Sequence, residues 1–324
     1  MKANTSALLR KGYTTGVLSG MTWGLDTVLI GVAMAMAPFV ENPVLLIGGT
    51  FICSMLHDAF AALWMLIIMA SKGRLKDLLP ALKSRDGLFC ALGALFGGPL
   101  AMTFYMLAIA KGGAALTATV TACYPLLGSA MAMVILKEKV RLRGWLGLLI
   151  CILGIIYIGY TPESDTNVNV IGGIMLAAVA AIGWATEGVV CGYGMKAGNV
   201  DLQMALLIRE LTSGVCYIVI VAPIMLGGYE QMMTGTMAVF SDTVCWLTLF
   251  FTALIGMLSF FCWYTAIDLI GAAKALCLNV TYSFWAVVFT FIVVGSALSK
   301  NIIIGSILVV TGVTVATLVS RNKK

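Results

Sequence analysis

Long apolar stretches recur along the chain, and short polar connections separate them. An α-helix needs about 20 mostly apolar residues to cross a bilayer. By that measure the pattern predicts ten spanning helices, over residues 13–37, 44–70, 87–110, 113–136, 144–160, 171–195, 203–226, 243–267, 271–295 and 301–319. We therefore expect an all-α integral membrane protein.

The second half of the chain repeats the first. The offset is 158 residues, which is the separation of Gly113 and Gly271. The agreements are Gly113-Ala114-Ala115 with Gly271-Ala272-Ala273, Tyr124 with Tyr282, Gly147 with Gly305, and Gly154 with Gly312. Such internal similarity is typical of a duplicated transporter fold. Because each half has an odd number of spans, we predict two inverted five-helix repeats, residues 1–160 and 161–324, that face one site.

Basic side chains concentrate in the chain ends and in the connections on the same side. Sixteen of the 20 Lys and Arg residues lie there, namely Lys2, Arg10, Lys11, Lys72, Arg74, Lys76, Lys83, Arg85, Lys137, Lys139, Arg141, Arg143, Lys196, Arg321, Lys323 and Lys324. The opposite connections hold Lys111 and Lys300, with the acids Glu41, Glu163, Asp165, Glu230 and Asp242. Cytoplasmic loops are enriched in Lys and Arg. We expect a multi-pass protein of the cell membrane with both termini in the cytoplasm.

Composition agrees with a membrane protein. Hydrophobic residues make up 61% of the chain and charged residues 10%, whereas a soluble domain has about 25% charged residues. The net charge of +6 is explained by membrane topology, so we expect a lipid bilayer as partner and no nucleic acid. The nine cysteines stand singly and there is one histidine, which suggests no zinc site or disulfide framework. We expect no metal and no cofactor.

Two carboxylates lie deep in corresponding spans. Asp26 is near the middle of the first span and Glu187 is just past the middle of the sixth. Each follows a tryptophan by three residues, Trp23 and Trp184, so an indole and a carboxylate share one helix face. A charged group at the bilayer centre costs about 2.5–3.5 kcal/mol on insertion scales, so such groups face a cavity or a partner. A buried interhelical hydrogen bond is the alternative role.

The second and seventh spans each carry an acid next to a basic-type residue. These pairs are His57-Asp58 and Arg209-Glu210. Adjacent helical residues point about 100° apart, so one member of each pair can face the cavity while the other contacts a neighbouring helix. The alternative is an interhelical salt-bridge network, with Arg209 bound to Asp26 or Glu187. His57 could also relay protons.

The ninth span adds polar and aromatic candidates. Lys274 lies about one turn from its start, on one stripe with Tyr282, and Asn279 lies on an adjoining face. Lys274 could instead extend to the membrane surface. Trp263, in the eighth span, is a further aromatic side chain able to hold a cation.

The stretch from Tyr105 to Ile155 reads YxLAIxxxxAAxxAxxxxxYPLxxxxMAxxxLKExVxxxxWxGLxxxxxGI. It resembles the second part of an EamA-type repeat of the drug/metabolite transporter superfamily, and the first span, with Trp23-Gly24, resembles the start of that repeat. The resemblance covers both halves. It implies a ten-helix transporter of amino acids, cations, nucleotide bases or other metabolites. Two positions of the second half depart from the repeat, because Ser296 occupies the position equivalent to Glu138 and Ser283 the position equivalent to Pro125.

The charge balance of the spans indicates the substrate. Four deep acids, Asp26, Asp58, Glu187 and Glu210, stand against two bases, Arg209 and Lys274, with His57 counted as neutral. That excess favours an ammonium group, a coupling proton, or both. We expect a secondary transporter of a small amine-containing metabolite such as an amino acid, working by alternating access and driven by a proton gradient. A substrate carboxylate would then meet Arg209 or Lys274.

Two other functions remain open. The first is transport of an organic cation such as choline or a polyamine, held by acids and aromatic rings alone. The second is an intramembrane enzyme, although the chain has none of the motifs HExxH, DDxxD or GxSxG. No ATP-binding motif is present, so we expect no primary pump and no enzyme. A monomer and a homodimer are both compatible with the sequence.

The topology can be tested by cysteine labelling in intact cells. A cysteine at Ser164 should react with an impermeant maleimide from outside, and one at Ser84 should react only after permeabilisation. The unsubstituted protein, with its nine cysteines, sets the background. The reverse pattern would overturn the predicted orientation.

Overall fold

The computed structural model describes residues 2–159, 169–196, 198, 200–295 and 300–317. In these ranges the regular elements are helices. They are α1 Lys2–Met34, α2 Ala37–Glu41, α3 Pro43–Ser71, α4 Leu78–Lys83, α5 Arg85–Leu95, α6 Ala101–Gly112, α7 Ala114–Thr121, α8 Tyr124–Ile135, α9 Leu142–Gly159, α10 Val170–Lys196, α11 Leu202–Cys216, α12 Ala222–Leu226, α13 Tyr229–Ser241, α14 Thr243–Ile270, α15 Ala272–Asn279, α16 Tyr282–Val294 and α17 Lys300–Thr317. A 3₁₀ turn covers Leu75–Asp77, and π-helical turns cover Phe96–Leu100 and Tyr217–Val221.

Several residues of the sequence predictions lie outside the described ranges. They are Glu163, Ser164, Asp165, Ser296, Arg321, Lys323 and Lys324.

Seven helical segments of the described chain are long and apolar enough to cross a membrane. They are Ser6–Met34, Pro43–Ser71, Arg85–Gly112, Ile171–Lys196, Leu202–Leu226, Thr243–Ile270 and Ala272–Val294. The other three predicted spans coincide with shorter apolar helices, Tyr124–Ile135, Leu142–Ile158 and Lys300–Ala316. The all-α membrane class is thus confirmed, while the count of ten spans stays a prediction. The fifth and tenth are the shortest predicted spans.

The outer surface of the bundle is apolar, as a lipid-facing surface must be. Ile47 is 89% exposed, Val134 79% and Leu142 74%. Charged residues instead lie inside, where Asp26 and Glu210 are buried. A soluble protein has the opposite arrangement, so the surface of this protein is suited to the hydrocarbon core of a bilayer. The sequence did not predict α13, which lies in the connection between two spans.

The fourth and ninth predicted spans have the same irregular course. Each begins after a glycine with positive φ, Gly113 (φ 81°, ψ 159°) and Gly271 (φ 90°, ψ 158°), which L side chains adopt at a cost. Each is interrupted after eight helical residues and restarts at the equivalent tyrosines, Tyr124 and Tyr282. Pro125 lies in the first turn of α8, whereas Ser283 occupies the equivalent position in α16 and donates its hydroxyl to the Val280 carbonyl. The break therefore does not require proline.

Glycines allow close helix contacts at two places. Along α1, Gly16, Gly20 and Gly24 pack against α15, α16 and the break between them. Helices α9 and α17 also approach closely. There a side chain on Gly147 would meet the Gly312 carbonyl, and one on Gly154 would meet the Gly305 carbonyl. These contacts are reciprocal, because Gly147 corresponds to Gly305 and Gly154 to Gly312 in the repeat.

Glu138 joins the two halves of the chain at one end of the bundle. It follows α8, and its carboxylate accepts hydrogen bonds from the backbone N–H groups of Ala272 (2.7 Å) and Ala273 (3.0 Å) at the start of α15. A carboxylate at this position satisfies two unpaired helix donors and interacts favourably with the helix dipole. The contact links the end of the fourth predicted span to the start of the ninth.

Removing this cap should destabilise the protein. Glu138→Ala should lower the free energy of unfolding by about 1–2 kcal/mol, because two backbone donors and the dipole lose their partner. Glu138→Gln keeps one acceptor oxygen and should lose less. Thermal unfolding of the detergent-purified protein measures the effect. Asp268→Ala removes a nearby exposed carboxylate and is the control; equal unfolding temperatures for Glu138→Ala and Asp268→Ala would contradict the capping role.

Candidate functional site

A cavity of about 230 Å³ lies within the helix bundle. Its lining includes Trp23, Asp26, His57, Asp58, Tyr105, Tyr124, Trp184, Glu187, Arg209, Tyr217, Phe260, Trp263, Asn279 and Tyr282. Drug-sized ligands occupy sites of about 300–1,000 Å³, so this cavity suits a small metabolite. The lining is mostly aromatic and apolar, with a few charged groups placed among the rings.

The first charged cluster is centred on His57. Its Nε2 lies 2.9 Å from Oδ1 of Asp26 on α1, and its Nδ1 lies 3.2 Å from Oδ1 of the adjacent Asp58. Ser213 of α11 donates its hydroxyl to the other oxygen of Asp58. Both nitrogens of one imidazole therefore face carboxylate oxygens.

The second charged cluster is centred on Arg209. Its Nε donates to Oε1 of Glu187 on α10 over 3.0 Å, and its Nη1 donates to Oε2 of the adjacent Glu210 over 2.8 Å. Nη1 also lies 3.7 Å from Oδ1 of Asp58, which connects the two clusters. The guanidinium carbon sits 3.8 Å from the centre of the Phe260 ring. Arg209 is thus surrounded by three carboxylates and an aromatic face.

The members of each adjacent pair bond each other, His57 with Asp58 and Arg209 with Glu210. Both members of the first pair line the cavity, whereas in the second pair Arg209 lines it and Glu210 does not. Each base also bonds the deep acid of another helix, so the alternative salt-bridge network is realised between Arg209 and Glu187. Asp26 pairs with His57 instead. The long Arg side chain and the planar imidazole reach two partners at once.

Two glycines make room for the deep carboxylates. A side chain on Gly97, in the π-helical turn between α5 and α6, would overlap the Glu187 carboxylate. A side chain on Gly256 of α14 would lie 2.6 Å from Nε2 of His57 and 3.0 Å from Oδ1 of Asp26. The acid of each half is thereby covered by a glycine of the other half.

Aromatic rings form two groups, one near each deep acid. Trp23 lies 5.1 Å from Phe260 and 6.4 Å from Tyr282, measured between ring centres. Trp184 lies 5.2 Å from Tyr105 and 6.0 Å from Tyr124 by the same measure. All six rings line the cavity, and aromatic faces attract cations.

Asn279 holds the break of the ninth predicted span in position. Its Oδ1 accepts a hydrogen bond from the Tyr124 hydroxyl (2.9 Å), and its Nδ2 donates to Oγ of Ser19 (2.7 Å). The amide therefore connects α15 to α8 and to α1. Its polar atoms are occupied, so its role at the cavity is to fix the helices that carry Tyr124 and Tyr282.

The predicted site residues fall into three groups. The structure brings Asp26, Glu187, Trp23, Trp184, His57, Asp58, Arg209, Tyr282, Asn279 and Trp263 together in the cavity lining. Glu210 is buried behind Arg209, outside the lining. Lys274 is exposed on the surface of the bundle and does not lie at the cavity. A lysine side chain can reach the membrane surface from such a position, which was its alternative role.

Other lining residues were missed from the sequence. Gly97 lines the site, and Ser213 bonds Asp58. Phe260 precedes Trp263 by three residues, a helical spacing that could have identified it. Glycine and serine carry no comparable signal, because their contribution depends on which helix packs against them.

The cavity lies toward one end of the bundle. Its lining includes Ile30 and Met34 near the end of α1 and Thr50 near the start of α3. At the end where α1 begins, buried apolar side chains form a continuous core cluster that includes Met69, Leu136, Met195, Met204 and Ile270. This cluster and the Glu138 cap close the bundle on that side.

The apolar surface, the spanning helices and the charged cavity define a multi-pass membrane protein. The model of the EamA-like transporter family matches residues 10–160 and again residues 171–318. The chain belongs to this family, and is therefore a membrane transporter of small molecules.

Individual relatives agree with that assignment. Protein LicB of Haemophilus influenzae is 26% identical over 280 residues, which is 86% of this chain and 87% of LicB. A solved crystal structure superposes with a TM-score of 0.66 at 17% sequence identity, covering 96% of this chain and 98% of the other. At that identity the likeness shows a shared fold and nothing of the substrate.

Removing the arginine from the network should strongly destabilise the protein. Arg209→Met should lower the free energy of unfolding by about 3–5 kcal/mol, because it leaves buried carboxylates without their cation. Adding Glu187→Gln should restore part of the loss by removing one of those charges. Thermal unfolding in detergent compares the variants, with the exposed Arg141→Met as control. Unfolding of Arg209→Met at the temperature of the unsubstituted protein would show that the pairing does not hold the fold.

Proposed function

We propose that the protein transports a small organic cation that carries no carboxylate. The observation that supports this is the state of the basic side chains at the cavity. In the described chain, the basic residues of the lining are His57 and Arg209, and both are already bound to carboxylates. A substrate carboxylate would have to displace one of those partners.

The position of Lys274 supports the same choice. The sequence suggested Lys274 or Arg209 as the partner of an anionic substrate group, but Lys274 is exposed away from the cavity. With Lys274 and Glu210 both outside the lining, three acids stand against Arg209, with His57 counted as neutral, so the cavity keeps its excess of two acids. An amino acid is therefore the weaker candidate, and an amine or a quaternary ammonium ion is the stronger one.

The aromatic lining suits such a cation. Trp23, Trp184, Tyr105, Tyr282 and Phe260 surround the space next to the two deep acids. A cation over an aromatic face gains about 0.5–2 kcal/mol, most where water is excluded. Aromatic rings and carboxylates together would offset the loss of water around the substrate.

The architecture supports alternating access between two inverted repeats. The reciprocal contacts of α9 with α17, and of Gly97 and Gly256 with the acids of the opposite halves, are those expected of two copies related by a two-fold axis. The cavity reaches toward one end while the cluster at the other end is closed. Transport would require the helices that carry this apolar cluster to separate while the helices at the opposite end close over the cavity.

The proposal predicts both a transported probe and the residue that binds it. Proteoliposomes should take up tetramethylammonium. Trp184→Ala should raise the concentration for half-maximal uptake about tenfold, because a desolvated cation–π contact is lost. Trp184→Phe should have an intermediate effect, since it keeps a ring face.

Trp246→Phe changes a tryptophan that packs against another core cluster, and it should leave uptake unchanged. Uptake of a zwitterionic amino acid, together with no uptake of tetramethylammonium, would reject the cation and favour the amino acid.

A further inference from the structure

His57 lies between two carboxylates, and this arrangement requires a proton. A neutral imidazole has one N–H donor and one acceptor nitrogen, and an ionised carboxylate only accepts. Yet Nε2 is 2.9 Å from Asp26 and Nδ1 is 3.2 Å from Asp58. Both contacts are hydrogen bonds only if the three side chains together hold one proton more than a neutral histidine and two carboxylates.

The two carboxylates differ in their other partners. Asp58 also accepts a hydrogen bond from Ser213 and lies 3.7 Å from Nη1 of Arg209, so it stays bound whatever His57 does. For Asp26, His57 is the hydrogen-bond partner in the described part of the chain. Loss of the proton on Nε2 would therefore free Asp26 toward the cavity that both residues line.

The groups around this site are accounted for from each packed helix. On α3 itself they are Asp58 and Cys53, and α1 supplies Asp26. Helix α11 supplies Arg209 and Glu210, and α10 supplies Glu187, which is bonded to Arg209. Tyr217 lines the same side of the cavity, and α14 presents the uncharged Gly256 against the imidazole. Arg209 is held by its own acids, so His57 is the basic group that can gain and lose a proton next to the open space.

We infer that Asp26, His57 and Asp58 form the proton site of the transporter, and that the substrate cation displaces this proton by taking its place beside Asp26. This inference rests on the proposed function. Nε2–H of His57 gives its proton to water in the cavity, while Nδ1–H of His57 keeps its hydrogen bond to Asp58. The cation then pairs with the freed carboxylate of Asp26. One positive charge replaces another, so the site is never occupied by both. The result is an exchange of one proton for one cation.

The exchange can be measured with a permanently charged probe. Tetramethylammonium has no neutral form, so it cannot be trapped by diffusion into acidic vesicles. Proteoliposomes with an interior one pH unit more acidic than the outside should accumulate it up to about tenfold, which is the limit for one-for-one exchange. Accumulation driven by an alkaline interior instead would overturn the displacement.

Substitutions assign the coupling to His57. His57→Gln keeps a side-chain donor and an acceptor but binds no proton, so it should let the probe equilibrate while the tenfold accumulation disappears. Met55→Leu, a volume-conserving change in the core of the same helix, should keep the full accumulation. Normal accumulation by His57→Gln would overturn the assignment.

A measurement without any substrate separates this inference from the proposed function. Acid–base titration of purified protein in detergent should show one proton fewer bound by His57→Gln than by the unsubstituted protein at pH values where the site is loaded. Equal proton binding by the two would refute the site. If the titration shows the difference while no cation is moved under any gradient, the proposed substrate fails and the proton site stands.

Discussion

A charge buried in a membrane protein needs a partner, and this requirement organises the centre of the molecule. The deep carboxylates are buried among the helices, so each must find a cation or a donor inside the bundle. The deep acid of the first half bonds the basic group of α3, and that of the second half bonds the basic group of α11. The adjacent acids complete both clusters and connect them through Asp58 and Arg209.

Close helix approach is the condition that makes this pairing possible. Glycines of α14 and of the π-helical turn before α6 lie against Asp26 and Glu187, where any side chain would collide. The breaks before Tyr124 and Tyr282 direct two tyrosines toward the same space. Backbone irregularity at this depth is tolerated because it lines a cavity and lies against protein, away from lipid.

The pairing also decides what the cavity can accept. Arg209 is occupied by carboxylates and by the Phe260 ring, so it holds the network together and is not free for an anion. His57 bonds Asp26 of the first cluster, and both side chains line the cavity. At the closed end, Glu138 fastens α15 to the connection after α8, so movement there would have to break or carry this contact.

The sequence alone determined the membrane class, the family and the charged residues that line the cavity. The apolar stretches identify the helices that lie in a bilayer, and the fixed offset of 158 residues between Gly113 and Gly271 indicates the repeat. The cost of buried charge singles out Asp26, Glu187, His57, Asp58 and Arg209. Only the tertiary structure decided which of these groups bond each other, that Lys274 points away, and that Gly97 and Gly256 make room for the acids. Helical spacing specifies a face, but partners depend on how helices from distant parts of the chain pack together.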